Sequence, residues 1–409
     1  MAEGVPPHTT GVATGVPGGV LSGIRVADFS RVLAGPYATM MLADFGADVV
    51  KIESPAGDDT RSWRPPVDDA GESTYFGAVN RNKRSVVCDL TTPDGLAAAR
   101  RLAATADVVV ENFRPGVMER FGLDEASLRE TNPRLVYCSI TGFGRGEGAP
   151  LPGYDLLVQA VGGLMSITGA PDGEPTKVGV AVVDVLTGLN AFSGILLALR
   201  QRDATGRGSR VEVDLLGSLL SALANQASAT LATGLSPTRL GNAHPSIAPY
   251  ELFCAADREV VIAVGNDRQF AALATALGRP QLAVDARFAT NEARVGNRPA
   301  LREVLDPLLA ARPAAVWVDE LTAVRVPVGL VNDVAEAFAF AESLGLDPVV
   351  TTTDPDTGRI SRTPATPIHV DAAPAIHRTP PPPLGAHSAR WADEVDDTED
   401  PADTERTRP

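Results

Sequence analysis

Residues 24–52 read IRVADFSRVLAGPYATMMLADFGADVVKI. The apolar runs at the two ends are short and contain Val and Ile, which is typical of buried strands. Between them, the segment from Ala38 to Phe45 is apolar at helical spacing. Two parallel strands need a long crossover, usually a helix, so this stretch predicts a βαβ unit and a parallel sheet.

The same alternation continues along the chain. Thr92-Pro93-Asp94 begins a helix, because Thr is a favoured cap and Pro suits the first turn. The other patterned segments predict strands at 85–90, 108–110, 135–140, 207–214, 259–264 and 327–331, and helices at 92–104, 185–200, 215–231, 268–277, 299–309 and 314–321. Strands that alternate with helices predict the α/β fold class with a mostly parallel sheet.

Composition divides the 409 residues into five segments. Both ends have the composition of disordered chain, and a mixed helix and strand pattern interrupts the α/β pattern in the second half. The predicted segments are a disordered N-terminus at 1–20, a large α/β domain at 21–224, a smaller α+β domain at 225–325, a return to the large domain at 326–391, and an acidic disordered tail at 392–409.

The charge excludes some partners. With 36 basic and 51 acidic residues, the net charge is −15, which disfavours nucleic acid and an anionic membrane. No apolar run approaches the length of a membrane span. Three widely spaced cysteines and five histidines predict a reducing, cytoplasmic location and no metal site.

The candidate for chemistry is Asp184. In residues 176–188, TKVGVAVVDVLTG, this one carboxylate ends an apolar run and is followed by the helical pattern 189–199. A carboxylate with few water contacts can act as a nucleophile. The alternative is that Asp184 is only the N-cap of the helix. Asp155 is a second carboxylate before an apolar segment, and we interpret it as an N-cap.

Two loops resemble anion-binding segments less closely. Residues 142–148 are rich in glycine and follow a strand, but the spacing and the missing helix argue against a dinucleotide fingerprint. We interpret this segment as a flexible loop near a site. Residues 112–120 contain arginines that would suit a phosphate, although a solvated loop explains them equally well.

Taken together, these segments resemble the family III CoA-transferases, which include formyl-CoA:oxalate and carnitine CoA-transferases. The resemblance covers roughly residues 21–388. It rests on Val26-Ala-Asp-Phe-Ser30, Ala34-Gly-Pro36, Asp48-Val-Val-Lys-Ile-Glu53, Asn80-Arg-Asn-Lys-Arg-Ser85, Glu111-Asn-Phe-Arg-Pro-Gly116, Gly206-Arg-Gly208 and Leu384-Gly-Ala-His-Ser388.

The resemblance implies roles for particular residues. It makes Asp184 the catalytic nucleophile and places Tyr154 near the reacting thioester. It implies CoA contacts at Val32, Asn112, Phe113 and Arg120. It also implies a Rossmann-like large domain, a small domain, and a homodimer of two interlocked ring-shaped chains.

Departures from the family pattern concern the substrate. Formyl-CoA:oxalate enzymes have Gln and Arg where this chain has Leu33 and Ser54, and a glycine run where it has Gly241-Asn-Ala-His244. The segment 241–250 looks more like members that handle succinyl-CoA and other dicarboxylates. Asn242 and His244 would donate hydrogen bonds to a second carboxylate, or His244 would only brace the loop against Pro245. Backbone N–H groups near Gly241 would stabilise an oxyanion.

The sequence therefore predicts an enzyme that moves CoA from an acyl-CoA to a carboxylic acid through an aspartyl anhydride and an aspartyl-CoA thioester. It needs no tightly bound cofactor, and coenzyme A is substrate and product. The alternative is an α-methylacyl-CoA racemase of the same fold, which has a His where this chain has Tyr154; a tyrosine is a poor acid/base substitute. A third possibility is a non-catalytic acyl-CoA-binding module.

Overall fold

The computed structural model describes residues 18–371, 374–389 and 391. These residues form two compact units. The first contains residues up to 162, residues 179–224 and those from 347 onward, and the second contains residues 163–178 and 225–346. The predicted tail 392–409 and most of the predicted N-terminal segment 1–20 lie outside the described residues.

The strands and helices alternate through the first unit. The strands are β1 (Arg25–Asp28), β2 (Asp48–Glu53), β3 (Lys83–Val87), β4 (Val108–Glu111), β5 (Val136–Thr141), β6 (Arg210–Asp214), β7 (Tyr250–Cys254), β8 (Glu259–Ala263), β9 (Val328–Leu330), β10 (Val349–Thr353) and β11 (Ile360–Pro364). The helices are α1 (Ala34–Asp44), α2 (Thr74–Gly77), α3 (Pro93–Ala104), α4 (Val117–Arg120), α5 (Glu125–Thr131), α6 (Asp155–Val161), α7 (Leu164–Ile167), α8 (Val182–Thr205), α9 (Leu215–Ala222), α10 (Ala224–Thr233), α11 (Asp267–Ala276), α12 (Asn291–Gly296), α13 (Arg298–Leu309), α14 (Ala314–Ala323) and α15 (Val334–Ser343).

The first unit is built on a six-stranded sheet in the order β3-β2-β1-β4-β5-β6. Every neighbouring pair in it is parallel, which confirms the predicted α/β class. The chain builds outward from β1 in one direction to β3 and then returns to build outward in the other direction from β4. The carboxyl ends of β1 and β4 therefore form a topological switch point, where ligands bind in open parallel sheets.

Both faces of this sheet are covered. Ala27 and Val50 belong to a buried cluster that also contains Leu102 of α3. Val26 and Val49, which alternate with them, are buried as well. Strands buried on both faces read as continuous apolar runs, which is why the sequence pattern of β1 and β2 lacks polar alternation.

Helix α8 packs against α1 and against β5 and β6. Its contact with α1 depends on Gly188, because a Cβ atom there would lie 2.7 Å from the carbonyl oxygen of Ala34. By length and apolar composition α8 resembles a membrane span, with a mean hydropathy of 1.8. The sequence-based expectation that no segment has this character was therefore wrong, although α8 packs inside the first unit.

The second unit is an antiparallel sheet, β7-β8-β9, with helices α11 to α14. Its core joins Phe253 and Ile262 of the sheet to Phe270, Leu305 and Trp317 of the helices. The sequence places the return to the first domain at residue 326, but the second unit extends to residue 346. The difference arises because β9 pairs with β8 and α15 follows it.

One predicted helix is divided. The pattern at 215–231 predicts a single helix, whereas the structure has α9 and α10 with a break at Ala224, whose φ of 42° lies in the left-handed region. A non-glycine residue with this backbone interrupts an α-helix. Leu and Ala content alone carries no signal for such a break.

Candidate active site

A cavity lies at the switch point of the first unit. Its wall is formed by residues 31–34 after β1, 112–115 after β4 and 140–144 after β5, together with Tyr154 and Asp184. Its volume is about 170 Å³. The parallel sheet brings the segments after β1, β4 and β5 to one edge although they are distant in sequence, because parallel strands present their carboxyl ends on the same side.

The turn after β1 is held in an uncommon backbone conformation. Val32 has a φ of 68°, which is unfavourable for a β-branched residue and persists only where the surroundings enforce it. On one side, the Arg31 N–H donates to Asn112 Oδ1 at 2.8 Å, and Asn112 Nδ2 donates to the Arg31 carbonyl oxygen at 2.7 Å. On the other side, the Val32 N–H donates to both carboxylate oxygens of Asp58 at 3.3 Å.

Asp58 belongs to a buried ion pair. Lys51 Nζ lies 2.8 Å from Asp58 Oδ2, and neither side chain is more than 1% exposed. Thr60 also donates to Asp58 through its N–H and its hydroxyl. Burial alone raises the pKa of the Asp58 carboxyl, but the charge of Lys51 and these hydrogen bonds hold that pKa below its ordinary value. Asp58 is therefore a permanent anion beneath the Val32 turn.

Asp184 lies in the first turn of α8. The helix begins at Val182, and its N-cap, Ala181, makes no side-chain cap hydrogen bond. The interpretation of Asp184 as the N-cap is therefore wrong, since the helix starts two residues earlier than the glycine in the pattern suggests. The Asp184 side chain lines the cavity instead.

The N-terminus of α8 is capped from another helix. The Asp155 carboxylate accepts hydrogen bonds from the N–H of Val183 at 2.8 Å and the N–H of Asp184 at 3.2 Å. The N-cap of Asp155's own helix α6 is Tyr154, so the expectation that Asp155 caps its own helix was wrong. The capping chemistry is the expected one, but its recipient is 28 residues away in sequence.

The surroundings of Asp184 favour its neutral form. Burial and the negative charge of Asp155 raise the pKa of Asp184 from 3.8 to about 7. Its neighbours Ala181 and Val185 pack against an apolar cluster that contains Leu33 and Met40, so this side of the carboxyl group has no polar partner. Among the described residues Asp184 forms no ion pair.

Five of the sequence-predicted residues meet at this cavity: Asp184, Tyr154, Val32, Asn112 and Phe113. Arg120 is exposed at the end of α4 and is not among the lining residues, so its predicted contact with CoA stays a prediction. Gly241, Asn242 and His244 belong to the second unit, and their predicted roles stay predictions too.

The loop that contains His244 is braced within the second unit. The Ser246 N–H donates to His244 Nδ1 at 3.1 Å, and the His244 ring lies 5.2 Å from that of Tyr250. A neutral ring that accepts at Nδ1 bears its proton on Nε2, which makes it a donor. The N–H of Gly241 donates to the Gly169 carbonyl oxygen and is therefore occupied. Among the described residues, the N–H of Asn242 has no such partner.

Sequence reasoning missed two charged residues of the cavity, Arg31 and Asp59, which lie 3.2 Å apart. It also left Arg114 undecided between a phosphate contact and a solvated loop, and the structure places Arg114 at the cavity wall. The glycine loop that begins at Gly142 lines the same cavity. Position directly after a strand of the switch point was the available signal for Arg31 and Arg114.

A carboxyl group in an apolar setting, on the rim of a switch-point cavity, suits covalent acyl chemistry. A family model described as CoA-transferase family III matches residues 21–388. The chain belongs to this family. It is a CoA-transferase, an enzyme that moves CoA from an acyl-CoA thioester to a free carboxylic acid, and the resemblance noted from its sequence is confirmed.

Named relatives of this CoA-transferase include the succinate–glutarate CoA-transferase of Agrobacterium fabrum, with 44% identity over 395 residues, 93% of this chain and 96% of the relative. The succinyl-CoA:glutarate CoA-transferase of Mus musculus is 40% identical over 377 residues, 92% of this chain and 86% of the relative. Among solved structures, a CAIB/BAIF family protein from Brucella suis has 43% identity and a TM-score of 0.82, and covers 92% of this chain and 100% of its own.

Proposed function

We propose that this CoA-transferase exchanges CoA between dicarboxylic acids, with succinyl-CoA or a similar thioester as donor and Asp184 as nucleophile. The observation that carries the proposal is the Asp184 carboxyl group in the first turn of α8, facing the switch-point cavity with apolar neighbours. The two relatives named for succinate or succinyl-CoA and glutarate support the substrate class.

The reaction begins when an Asp184 carboxylate oxygen attacks the thioester carbonyl of the donor. The C–S bond breaks, and the products are a mixed anhydride and the CoA thiolate. The thiolate then attacks the aspartyl carbonyl, which releases the donor acid as its carboxylate and leaves an aspartyl-CoA thioester. The acceptor carboxylate attacks that thioester, and the same two steps in reverse form the new acyl-CoA and restore Asp184.

Each intermediate is sensitive to water, so the cavity must exclude it. The apolar side of Asp184, formed by the cluster around Leu33 and Met40, contributes to this exclusion. We propose that Val32, Asn112, Phe113 and Arg120 contact CoA, and that Tyr154 lies beside the reacting thioester. These assignments are supported by the four that line the cavity with Asp184.

We further propose that Asn242 and His244 bind the second carboxylate of the substrate. The support is the proton on His244 Nε2 and the unoccupied N–H of Asn242. The enzyme is proposed to act as an interlocked homodimer in the cytoplasm, without a tightly bound cofactor. Three free cysteines fit a reducing compartment. Light scattering of the purified enzyme tests the dimer, since a monomer mass would exclude it.

Trapping the covalent intermediate tests the mechanism. Purified enzyme is mixed with succinyl-CoA in the absence of acceptor, and the intact protein mass is measured after rapid quenching. The expected adduct is CoA joined to the chain with loss of one water. Borohydride reduces this thioester, and peptide mapping then places the resulting alcohol at residue 184.

The Asp184→Asn variant is the matched control and forms no adduct. A racemase would instead exchange the α-proton of a 2-methylacyl-CoA with deuterium from solvent and form no adduct. A binding module would do neither. Wild-type enzyme without the adduct would remove Asp184 from its proposed role.

A further inference from the structure

The contact between Asp155 and the first turn of α8 joins two carboxylates that the proposed mechanism treats separately. Asp155 Oδ1 accepts from the N–H groups of Val183 and Asp184 at 2.8 and 3.2 Å. Its other oxygen, Oδ2, accepts from Gln159 Nε2 at 2.5 Å, and Gln159 is fully buried. Asp155 is therefore held from its own helix α6 while it holds the start of α8.

Free N–H groups in the first turn of a helix stabilise negative charge nearby. At the start of α8, two of these groups already donate to Asp155. The Asp184 side chain is thus denied the hydrogen bonds that usually make a carboxylate at this helical position a weak base. It also lies close to the negative charge of Asp155, which adds to the effect of burial on Asp184.

Other polar groups face this region from the surrounding elements. Tyr75 of α2 is close enough for its pKa to be raised by burial and by the charges of Asp184, Asp155 and Asp58. Tyr37 of α1 packs against the same apolar cluster as Val185. The remaining ionisable groups of the cavity wall are Arg31, Asp59, Arg114 and Tyr154. Among the described residues none of them forms an ion pair with Asp184.

We propose that Asp155 is a positioning residue for the nucleophile: it fixes the first turn of α8 and keeps the Asp184 carboxylate basic. This inference rests on the proposed role of Asp184. A more basic carboxylate attacks the thioester more readily and is a poorer leaving group from the anhydride. Both properties favour the covalent intermediates over return to free donor. The role explains why an acid is placed where a neutral cap, such as Ser or Asn, would satisfy the same two N–H groups.

Two substitutions separate the two parts of this role. Asp155→Asn keeps a carbonyl oxygen in place of Oδ1, so the two N–H groups of α8 stay capped while the charge is lost. Asp155→Ala removes both the charge and the acceptor. The matched control is Asp124→Asn, because Asp124 caps the N–H groups of Ala126 and Ser127 in α5 in the same way. It is not among the residues that line the cavity with Asp184.

The measurement is the rate of adduct formation with succinyl-CoA in a single turnover, from pH 5 to pH 9. In wild-type enzyme this rate rises with pH as Asp184 ionises. In Asp155→Asn the rising limb moves to lower pH by roughly 0.5 to 1 unit, because a neighbouring like charge is gone. The plateau at high pH falls several-fold, and the KM for succinyl-CoA stays within about twofold.

In Asp155→Ala the limb moves in the same direction, and the plateau falls by a further roughly tenfold because the first turn of α8 is no longer fixed. Asp124→Asn keeps the wild-type limb. A merely structural Asp155 would lower the plateau without moving the limb, so an unmoved limb in folded Asp155→Asn overturns the inference. If that variant does not fold, Asp155→Ser, a neutral cap, takes its place with the same criterion.

The two proposals fail in different ways. If wild-type enzyme forms no adduct, the proposed role of Asp184 is wrong and the inference about Asp155 falls with it. If wild-type enzyme forms the adduct at residue 184 but the limb of the neutral variant coincides with that of wild type, only the inference about Asp155 is wrong.

Discussion

Asp58 and Asp184 are two carboxylates of the same unit with opposite surroundings. Asp58 meets the ammonium group of Lys51, two donors of Thr60 and the N–H of Val32. Asp184 meets apolar side chains and a second carboxylate. The pKa of Asp58 is accordingly below its ordinary value, and that of Asp184 is raised to about 7.

The difference teaches that residue type alone does not assign a role. A carboxylate with a complete set of partners stabilises a backbone conformation, here the left-handed Val32. A carboxylate whose environment opposes its charge is reactive and costs stability. The following predictions test this division, in order of the expected effect.

The largest effect is expected for Asp184→Asn and Asp184→Ala. Both remove the nucleophile, so kcat/KM for CoA transfer should fall by at least roughly 10³-fold. Circular dichroism should show an unchanged fold. A purified variant that keeps most of the wild-type rate would contradict the assignment, and the proposed contrast with Asp58 would lose its basis.

Asp58→Asn should affect stability more than chemistry. It leaves the Lys51 ammonium buried without a counter-charge, which costs about 3 kcal/mol. The free energy of unfolding in urea measures the effect. The double variant Lys51→Met/Asp58→Leu removes both charges and should recover part of the loss. An Asp58→Asn protein as stable as wild type would show that the ion pair contributes nothing.

The pH dependence of stability should have the opposite sign at Asp184. Its pKa is 3.8 in the reference state and about 7 in the folded protein. Between these values the folded state binds a proton that the unfolded chain has lost, so stability falls as pH rises through this window. Asp184→Asn abolishes that loss, and should be more stable than wild type by on the order of 1–3 kcal/mol at pH 8. At pH 4 the difference should vanish; a pH-independent difference between the two proteins is the contrary result.

Arg120→Ala should act on binding rather than on the chemical step. Arg120 is exposed and does not line the cavity with Asp184. We expect the KM for acyl-CoA to rise about tenfold with kcat nearly unchanged, the pattern of lost uniform binding. Arg100→Ala, which removes another exposed-face arginine whose side chain donates to the Phe121 carbonyl, is the control. A large fall in kcat at constant KM would place Arg120 in the chemistry.

The smallest effect concerns substrate choice. If the His244 Nε2 proton binds a second carboxylate, His244→Ala should lower the ratio of kcat/KM for succinyl-CoA to that for butyryl-CoA by about 3- to 10-fold. Wild-type enzyme should prefer succinyl-CoA. Equal loss for both thioesters would mean that His244 only braces its loop against Ser246 and Tyr250.

Local patterns predicted most of the elements. The apolar runs of β1 and β2 and the Thr92 cap of α3 could be identified because strand burial and capping depend on neighbours in sequence. The break at Ala224 could not, since Leu and Ala suit a continuous helix. Half of the cavity was found through its resemblance to a family, whereas Arg31 was missed because no short pattern marks it.

The sequence by itself determined the order of strands and helices, the apolar faces that must be buried, and the isolated carboxylate at position 184. Only the tertiary structure decided what that carboxylate meets. Asp155 caps α8 from 28 residues away, and Asp58 holds Val32 from 26 residues away. Neither contact follows from local periodicity, because both depend on how the segments at the edge of the parallel sheet come together. The pKa of a carboxyl group is set by exactly such non-local neighbours.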